Sequence, residues 1–203
     1  TARRFAQCVE VVAGRGKALR QQRGKFAARQ RERLVFSPLA AGDLVGGVSM
    51  IDESAFEESA LLFDCHGSRV IGVMAKPLGV VKQAVLIVVG GPQYRVGSHR
   101  QFVLLSRRMA ECGIASLRFD YRGMGDSEGQ PIDFLRIADD IECAIAQLYR
   151  EVPNLSGIII WGLCDAASAA LTYAYRDARV VGLVLLNPWV RSAESEARAY
   201  VKH

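Results

Sequence analysis

Long apolar runs are absent from this sequence of 203 residues, although half of its residues are apolar. No stretch approaches the roughly eighteen consecutive apolar residues of a transmembrane helix, so we expect no membrane span. The first residues also lack the basic, apolar and small-residue regions of a secretory signal peptide, which favours a cytoplasmic location. The apolar content is sufficient for the core of one globular domain.

Cysteines are few, and their spacing forms no known pattern. The five cysteines are an odd number and include no Cys-x-x-Cys pair; they are Cys8, Cys65, Cys112, Cys143 and Cys164. This spacing does not indicate a disulfide framework or a zinc site, and we expect free thiols in a reducing compartment. Gly123 and Gly125 lack the third glycine of a dinucleotide-binding loop. We therefore expect neither a metal nor a cofactor.

Positive charge is confined to the first quarter of the sequence. Residues 1–49 contain ten Lys or Arg and three Asp or Glu, whereas residues 50–203 contain sixteen and eighteen. We interpret residues 1–49 as a basic, disordered or non-native extension, because Met50 precedes the globular part and would make a natural start. A tail that binds nucleic acid by charge is the alternative, but we expect no nucleic-acid partner.

The globular part, residues 50–203, alternates strands and helices. Two strands around a turn at His66 and Gly67 come first, and apolar strands and amphipathic helices follow them. Ser98 is the expected N-cap of the first helix. The predicted strands are residues 60–65, 69–75, 84–89, 114–119, 158–161 and 180–186, and the later helices are residues 139–150 and 166–175. This alternation predicts an α/β fold, a mostly parallel sheet with helices on both faces.

A strand runs directly into a helix through Gly162-x-Cys164-x-Ala166. In a nucleophile elbow the nucleophile occupies such a sharp turn, and only small residues fit two positions on either side of it. The positive end of the helix favours the thiolate of Cys164, and the backbone N–H of Asp165 points to where an oxyanion would form. The alternative is a buried structural cysteine, since cysteine often serves as a small core residue.

A glycine turn after the first parallel strand supplies a second oxyanion donor in this interpretation. The turn reads Gly90-Gly91-Pro92-Gln93, and proline has no N–H, so the donor is the backbone of Gly91 or of Gln93. A simple turn without a catalytic role is the alternative.

Residues 120–127 read Asp-Tyr-Arg-Gly-Met-Gly-Asp-Ser. This run, at this distance before the elbow, resembles the α/β-hydrolase fold family, where it mainly braces the loop near the active site. We therefore do not count Asp120 as catalytic. A narrower resemblance, over about residues 58–195, is to the exosortase A-associated hydrolase 1 group. It rests on residues 90–100 (Gly-Gly-Pro-Gln-Tyr-Arg-Val-Gly-Ser-His-Arg), 161–170 (Trp-Gly-Leu-Cys-Asp-Ala-Ala-Ser-Ala-Ala) and 185–190 (Leu-Leu-Asn-Pro-Trp-Val).

The resemblance implies a cytoplasmic bacterial hydrolase or acyl-transfer enzyme, encoded with exopolysaccharide and protein-sorting genes. Its elbow has cysteine rather than serine, as in dienelactone hydrolases. The implied substrate is a small acyl compound, an ester, thioester or amide, and the implied intermediate is an acyl-enzyme on Cys164. A non-catalytic binding module on the same scaffold and a transferase to a sugar are alternatives.

The histidine and the acid of a triad have no clear candidates. In this fold they follow the nucleophile along the chain. His66 and His99 precede Cys164, and His203 follows it after only one strand. Asp177 and Glu194 do not lie at the expected later strand end. We therefore expect a hydrolase domain whose last strands, roughly 60 residues or more, lie beyond residue 203. The oligomeric state is left open.

Overall fold

The computed structural model describes the backbone of residues 9–13 and, in full, residues 56–91, 93–134 and 136–188. Four strands come first along the chain, and helices and strands alternate after them. In chain order they are β1 (Val9–Ala13), β2 (Phe56–Cys65), β3 (Ser68–Pro77), β4 (Gln83–Val88), α1 (Gln101–Glu111), β5 (Ala115–Phe119), α2 (Ala138–Glu151), β6 (Gly157–Leu163), α3 (Asp165–Ala174) and β7 (Val180–Leu186).

The seven strands form one mixed sheet in the order β1-β7-β6-β4-β5-β3-β2. The four strands β4 to β7 are parallel to one another, which confirms the predicted parallel centre. At one edge β2 and β3 form an antiparallel hairpin, paired from Phe56 with Pro77 to Cys65 with Ser68. His66 and Gly67 connect them with φ of 52° and 81°, as a two-residue turn of type I′ requires. Continuous pairing makes both strands longer than the apolar pattern predicted.

The opposite edge of the sheet is formed by β1, which pairs antiparallel with β7. Its five residues belong to the basic extension, and this pairing was not expected from the sequence. The other residues of 1–49 lie outside the described part of the chain. The interpretation of that region as an extension therefore stays a prediction.

Helices cover both faces of the sheet, as predicted. On one face α2 and α3 pack on the inner side chains of β4, β5 and β6. On the other face α1 packs through Phe102, whose ring meets that of Trp161 edge-on at 5.4 Å between centroids. Strand β4 is buried after Gln83 and β5 is buried throughout, which is why β4 is a continuous apolar run from Ala84 onward.

Helix α1 begins later than the sequence predicted. The expected N-cap, Ser98, opens a short 3₁₀ turn, and His99 and Arg100 both have positive φ, at 50° and 59°. The α-helical conformation is therefore interrupted until Gln101, and Ser98 makes no capping hydrogen bond. Within the described residues, no helix has the length and apolar character needed to cross a membrane.

Candidate active site

Cys164 is the single residue between β6 and α3. Its backbone has φ 54° and ψ −119°, a conformation that costs a residue with a side chain about 1–3 kcal/mol. Two backbone hydrogen bonds hold it there: its N–H donates to the carbonyl of Leu186 at 2.8 Å, and its carbonyl accepts from the N–H of Ala167 at 3.0 Å. The side chain is exposed. The chain thus presents one thiol on a sharp, strained strand-to-helix turn.

Two glycines allow this turn to close. A Cβ on Gly162 would lie 2.6 Å from the carbonyl oxygen of Ala166, so β6 and α3 approach too closely for a larger residue. A Cβ on Gly90, at the end of β4, would overlap the carbonyl oxygen of Leu163 and lie 3.3 Å from the nitrogen of Asp165. The loop after β4 therefore lies directly against the elbow, where the sequence predicts an oxyanion site.

The expected oxyanion donors come from these two neighbouring backbones. Asp165 is the first residue of α3, and an N–H at that position has no acceptor within its own helix. Gly91, next to Gly90, has φ of 64°, and the side chain of Gln93 accepts a hydrogen bond from Gln101 at 3.0 Å. Among the described residues, no backbone acceptor is bonded to the N–H groups of Asp165, Gly91 or Gln93. They therefore stay candidate donors to an oxyanion.

A buried carboxylate anchors the loop that contains these donors. Asp120, only 1% exposed, follows β5 and accepts hydrogen bonds from the backbone N–H of Arg95 at 2.6 Å and from its guanidinium group. It also accepts from the N–H of Asp126 at 3.2 Å. The hydroxyl of Ser127 donates to the Asp120 carbonyl at 2.6 Å, and a Cβ on Gly125 would overlap the carboxylate. The motif at 120–127 is thus a brace, as expected, and Arg95 is the partner that sequence reasoning missed.

The same motif is fixed to the second helix layer. The guanidinium of Arg122 binds the buried carboxylate of Asp140 on α2 through two nitrogens, at 3.0 and 2.9 Å, and its backbone N–H donates to the same group at 2.9 Å. Such paired hydrogen bonds fix orientation as well as distance. The loop of residues 120–127 is therefore bound both to Arg95, in the loop after β4, and to α2.

We expect Asp120→Asn to lower the free energy of unfolding by about 2–4 kcal/mol, because it leaves the guanidinium of Arg95, whose side chain is 17% exposed, without its buried charge partner. The matched control is Asp126→Asn. That carboxylate pairs with the same arginine at 2.7 Å but is 62% exposed, so its loss should cost about 1 kcal/mol or less. Urea unfolding of both variants measures the difference. Equal losses would show that the burial of Asp120 does not matter.

The other cysteines differ from Cys164 in their surroundings. Burial, together with contact with Cys143 and the charge of Asp140, raises the pKa of the Cys65 thiol. Burial also raises the pKa of Cys143. Both therefore stay neutral thiols at neutral pH, which are poor nucleophiles. Cys112 is exposed after the end of α1, away from any strand-to-helix turn.

No histidine of the described residues is hydrogen-bonded to Cys164. His66 lies in the β2–β3 turn and His99 in the 3₁₀ turn before α1, and within residues 56–91, 93–134 and 136–188 no hydrogen bond joins either to the sulfur. Asp177 lies before β7, at the opposite end of the parallel strands from Cys164. Burial works to raise the pKa of Asp177, but hydrogen bonds from Arg179 and Tyr173 hold it below its usual range. Glu194 and His203 lie outside the described residues.

The sequence of this chain is similar to known proteins over its globular part. The family described as serine aminopeptidase, S33 matches residues 81–203. The polyketide transferase GrgF of Penicillium sp. is 31% identical over 99 residues, which cover 46% of this chain and 33% of the transferase. The quorum-quenching protein AidA of Acinetobacter baumannii is 30% identical over 135 residues, covering 63% of this chain and 42% of that protein. The matches thus span less than half the length of these relatives.

Solved structures show the same fold. The crystal structure of GrgF aligns with a TM-score of 0.60 at 23% identity, covering 72% of this chain and 52% of that one. An esterase of Pyrococcus furiosus aligns with a TM-score of 0.62 at 17% identity, covering 78% and 62%. The fold class predicted from the sequence, an α/β-hydrolase fold, is confirmed. The family match covers more than half of the sequence, and the chain belongs to the serine aminopeptidase S33 family of α/β-hydrolases.

Proposed function

We propose that Cys164 is the nucleophile of an acyl-transferring hydrolase that acts on a carboxylic ester, thioester or amide. The observation that supports this most strongly is the backbone of Cys164, which is strained, held by hydrogen bonds on both sides, and presents an exposed thiol at the start of α3. Strain in a residue with a side chain persists at functional sites because the surroundings enforce it. A structural cysteine would need neither the strain nor the exposure.

In the proposed reaction the sulfur of Cys164 attacks the carbonyl carbon, and the carbonyl oxygen becomes an oxyanion. The N–H of Asp165 and that of Gly91 or Gln93 donate to this oxygen. Collapse of the intermediate breaks the bond to the leaving alcohol, thiol or amine, which takes up a proton, and leaves a thioester on Cys164. Water then attacks the thioester, releases the acid and restores the thiol.

This reaction needs a base to take the thiol proton and an acid to orient that base. Within the described residues, neither His66 nor His99 is hydrogen-bonded to the sulfur, and Asp177 is engaged by Arg179 and Tyr173 at the other end of the strands. The histidine and the acid stay predictions, and the chain order of this fold indicates that both follow Cys164 along the sequence.

The acceptor in the second step is water in this proposal, and an alcohol or sugar hydroxyl is the second candidate. The similarity to a polyketide transferase supports acyl transfer to an acceptor other than water. The resemblance of residues 58–195 to the exosortase A-associated hydrolases supports a substrate from bacterial, cytoplasmic exopolysaccharide metabolism. A binding module without catalysis is the competing function, since a fold does not by itself imply an activity.

The test is a burst experiment on the full chain with p-nitrophenyl acetate. We expect rapid release of nitrophenolate equal to the protein concentration, followed by slow turnover, because acylation of an activated ester needs less help from a base than deacylation does. Cys112→Ala, which removes another exposed thiol, is the matched control and should retain the burst. Absence of a burst in the unmodified chain would favour the binding module. So would a burst that is lost in Cys112→Ala, because the reacting thiol would then be Cys112 and not Cys164.

A further inference from the structure

A second group of reactive side chains lies at the hairpin edge of the sheet, away from Cys164. The sulfur atoms of Cys65 and Cys143 and a ring nitrogen of His66 all lie within 4.8 Å of one another. They come from the end of β2, the turn after it, and α2. In the sheet, β2 is four strands from β6, so this cluster is separate from the candidate active site.

We propose that Cys65, His66 and Cys143 form a binding site for a thiophilic divalent cation such as Zn²⁺. Zinc is bound in a tetrahedron at about 2.3 Å from thiolate sulfur and about 2.0–2.1 Å from imidazole nitrogen. In such a tetrahedron the ligand atoms are roughly 3.6–3.8 Å apart. The three ligand atoms lie within 4.8 Å of one another before any ion is bound, so their separations exceed those in a zinc tetrahedron by about 1 Å at most. Small side-chain rotations suffice to close the site.

The backbone around the cluster is fixed in the way a metal site needs. His66 occupies the first position of the hairpin turn, and the N–H of the next residue, Gly67, donates to Asp64 at 3.3 Å. Cys65 is fully buried and pairs in register with Ser68. Cys143 is half-buried on α2, which packs against β2. Two rigid elements therefore present the three ligands toward one point.

Asp139 supplies the remaining polar group at this point. Its carboxylate lies 3.8 Å from Nε2 of His66, and its backbone carbonyl is 3.8 Å from the Cys65 sulfur. Carboxylates serve zinc either as ligands or as acceptors that orient a ligating histidine. Arg122 lies 3.9 Å from the same carboxylate and is itself paired with Asp140. Asp139 is therefore the candidate for the fourth position, or for the group that orients His66.

Charge and proton balance are satisfied by this ligand set. On binding, each thiol loses its proton to the solvent, and the two thiolates neutralise the two positive charges of the cation. His66 binds as the neutral imidazole. The same two sulfurs could instead form a disulfide, but that reaction needs an oxidant and would make no use of the histidine and carboxylate that converge on them.

The test is titration of the full, reduced chain with Co²⁺, which reports thiolate coordination through a sulfur-to-cobalt charge-transfer absorption. We expect a single equivalent to bind with this absorption and excess Zn²⁺ to abolish it. In Cys143→Ala the absorption should fall to about half, because one thiolate remains. In His66→Asn, where asparagine tolerates the positive φ, the affinity should fall at least about tenfold, as it does when the supporting groups of other sites are lost.

Matched controls come from residues of the same type outside the cluster. Cys112→Ala, Cys164→Ala and His99→Asn should all bind Co²⁺ like the unmodified chain, so the outcome is independent of the proposed function of Cys164. Absence of the charge-transfer absorption in the unmodified chain would overturn the proposal. So would an unchanged absorption in Cys143→Ala, or a Cys65–Cys143 disulfide that forms in air despite excess Zn²⁺.

Discussion

Replacing Gly162 by alanine is expected to lower the free energy of unfolding by about 2–4 kcal/mol, although the change adds a single methyl group. The added carbon would lie 2.6 Å from the carbonyl oxygen of Ala166 and 2.8 Å from the Cα of Ala167. Both atoms belong to the backbone of α3, which cannot rotate out of the way as a side chain can. The first turn of α3, and Cys164 with it, would have to shift away from β6.

Urea unfolding measures this loss, and the burst with p-nitrophenyl acetate should weaken in the same variant because the elbow is displaced. The matched control is Gly79→Ala, since a Cβ at Gly79 would meet nothing within 4 Å. That change should alter stability by no more than about 0.5 kcal/mol. If Gly162→Ala is as stable as Gly79→Ala, the close approach of β6 and α3 is not a real constraint.

Replacing Cys164 by glycine is expected to have opposite effects on reactivity and on stability. The burst should disappear, with acylation reduced at least about a thousandfold, because the proposed nucleophile is gone. Stability should rise by about 1 kcal/mol. Glycine removes strain of about 1–3 kcal/mol at φ 54° and ψ −119°, and it costs roughly 0.5–1 kcal/mol of additional chain entropy.

Cys164→Ala separates these two effects. Alanine lacks the thiol but keeps a Cβ, so it should abolish the burst without gaining stability. Because the Cys164 side chain is exposed, neither variant loses much buried surface. Urea unfolding midpoints of the two variants and of the unmodified chain show whether glycine at position 164 raises the stability. A glycine variant that is less stable than the alanine variant would contradict the assignment of strain to this residue.

Local sequence patterns were sufficient to predict most of the fold. Parallel strands β4, β6 and β7 are largely apolar because helices cover the sheet on both faces, and the elbow is recognisable because its constraints act over five consecutive residues, Gly162 to Ala166. The hairpin turn at His66 and Gly67 is likewise a local feature. In each case the physical cause and the sequence signal lie in the same short segment.

Contacts between distant segments could not be predicted in this way. Arg95 and Asp120 meet only because β4 and β5 are neighbours in the sheet, and nothing in either segment indicates the other. Cys65 and Cys143 have no metal-ligand spacing along the chain, yet the packing of α2 on β2 brings their sulfurs together. The late start of α1 depends on positive φ at Arg100, which its residue type does not favour.

Whether Cys164 is the nucleophile is tested by locating the acyl group after the burst with p-nitrophenyl acetate. The full chain would be quenched in acid, digested, and each cysteine-containing peptide examined by mass spectrometry. We expect an acetyl group on Cys164, in an amount equal to the burst, with little on the exposed Cys112 and none on the buried Cys65. Acetylation spread evenly over the exposed cysteines, or concentrated on a residue other than Cys164, would contradict this expectation.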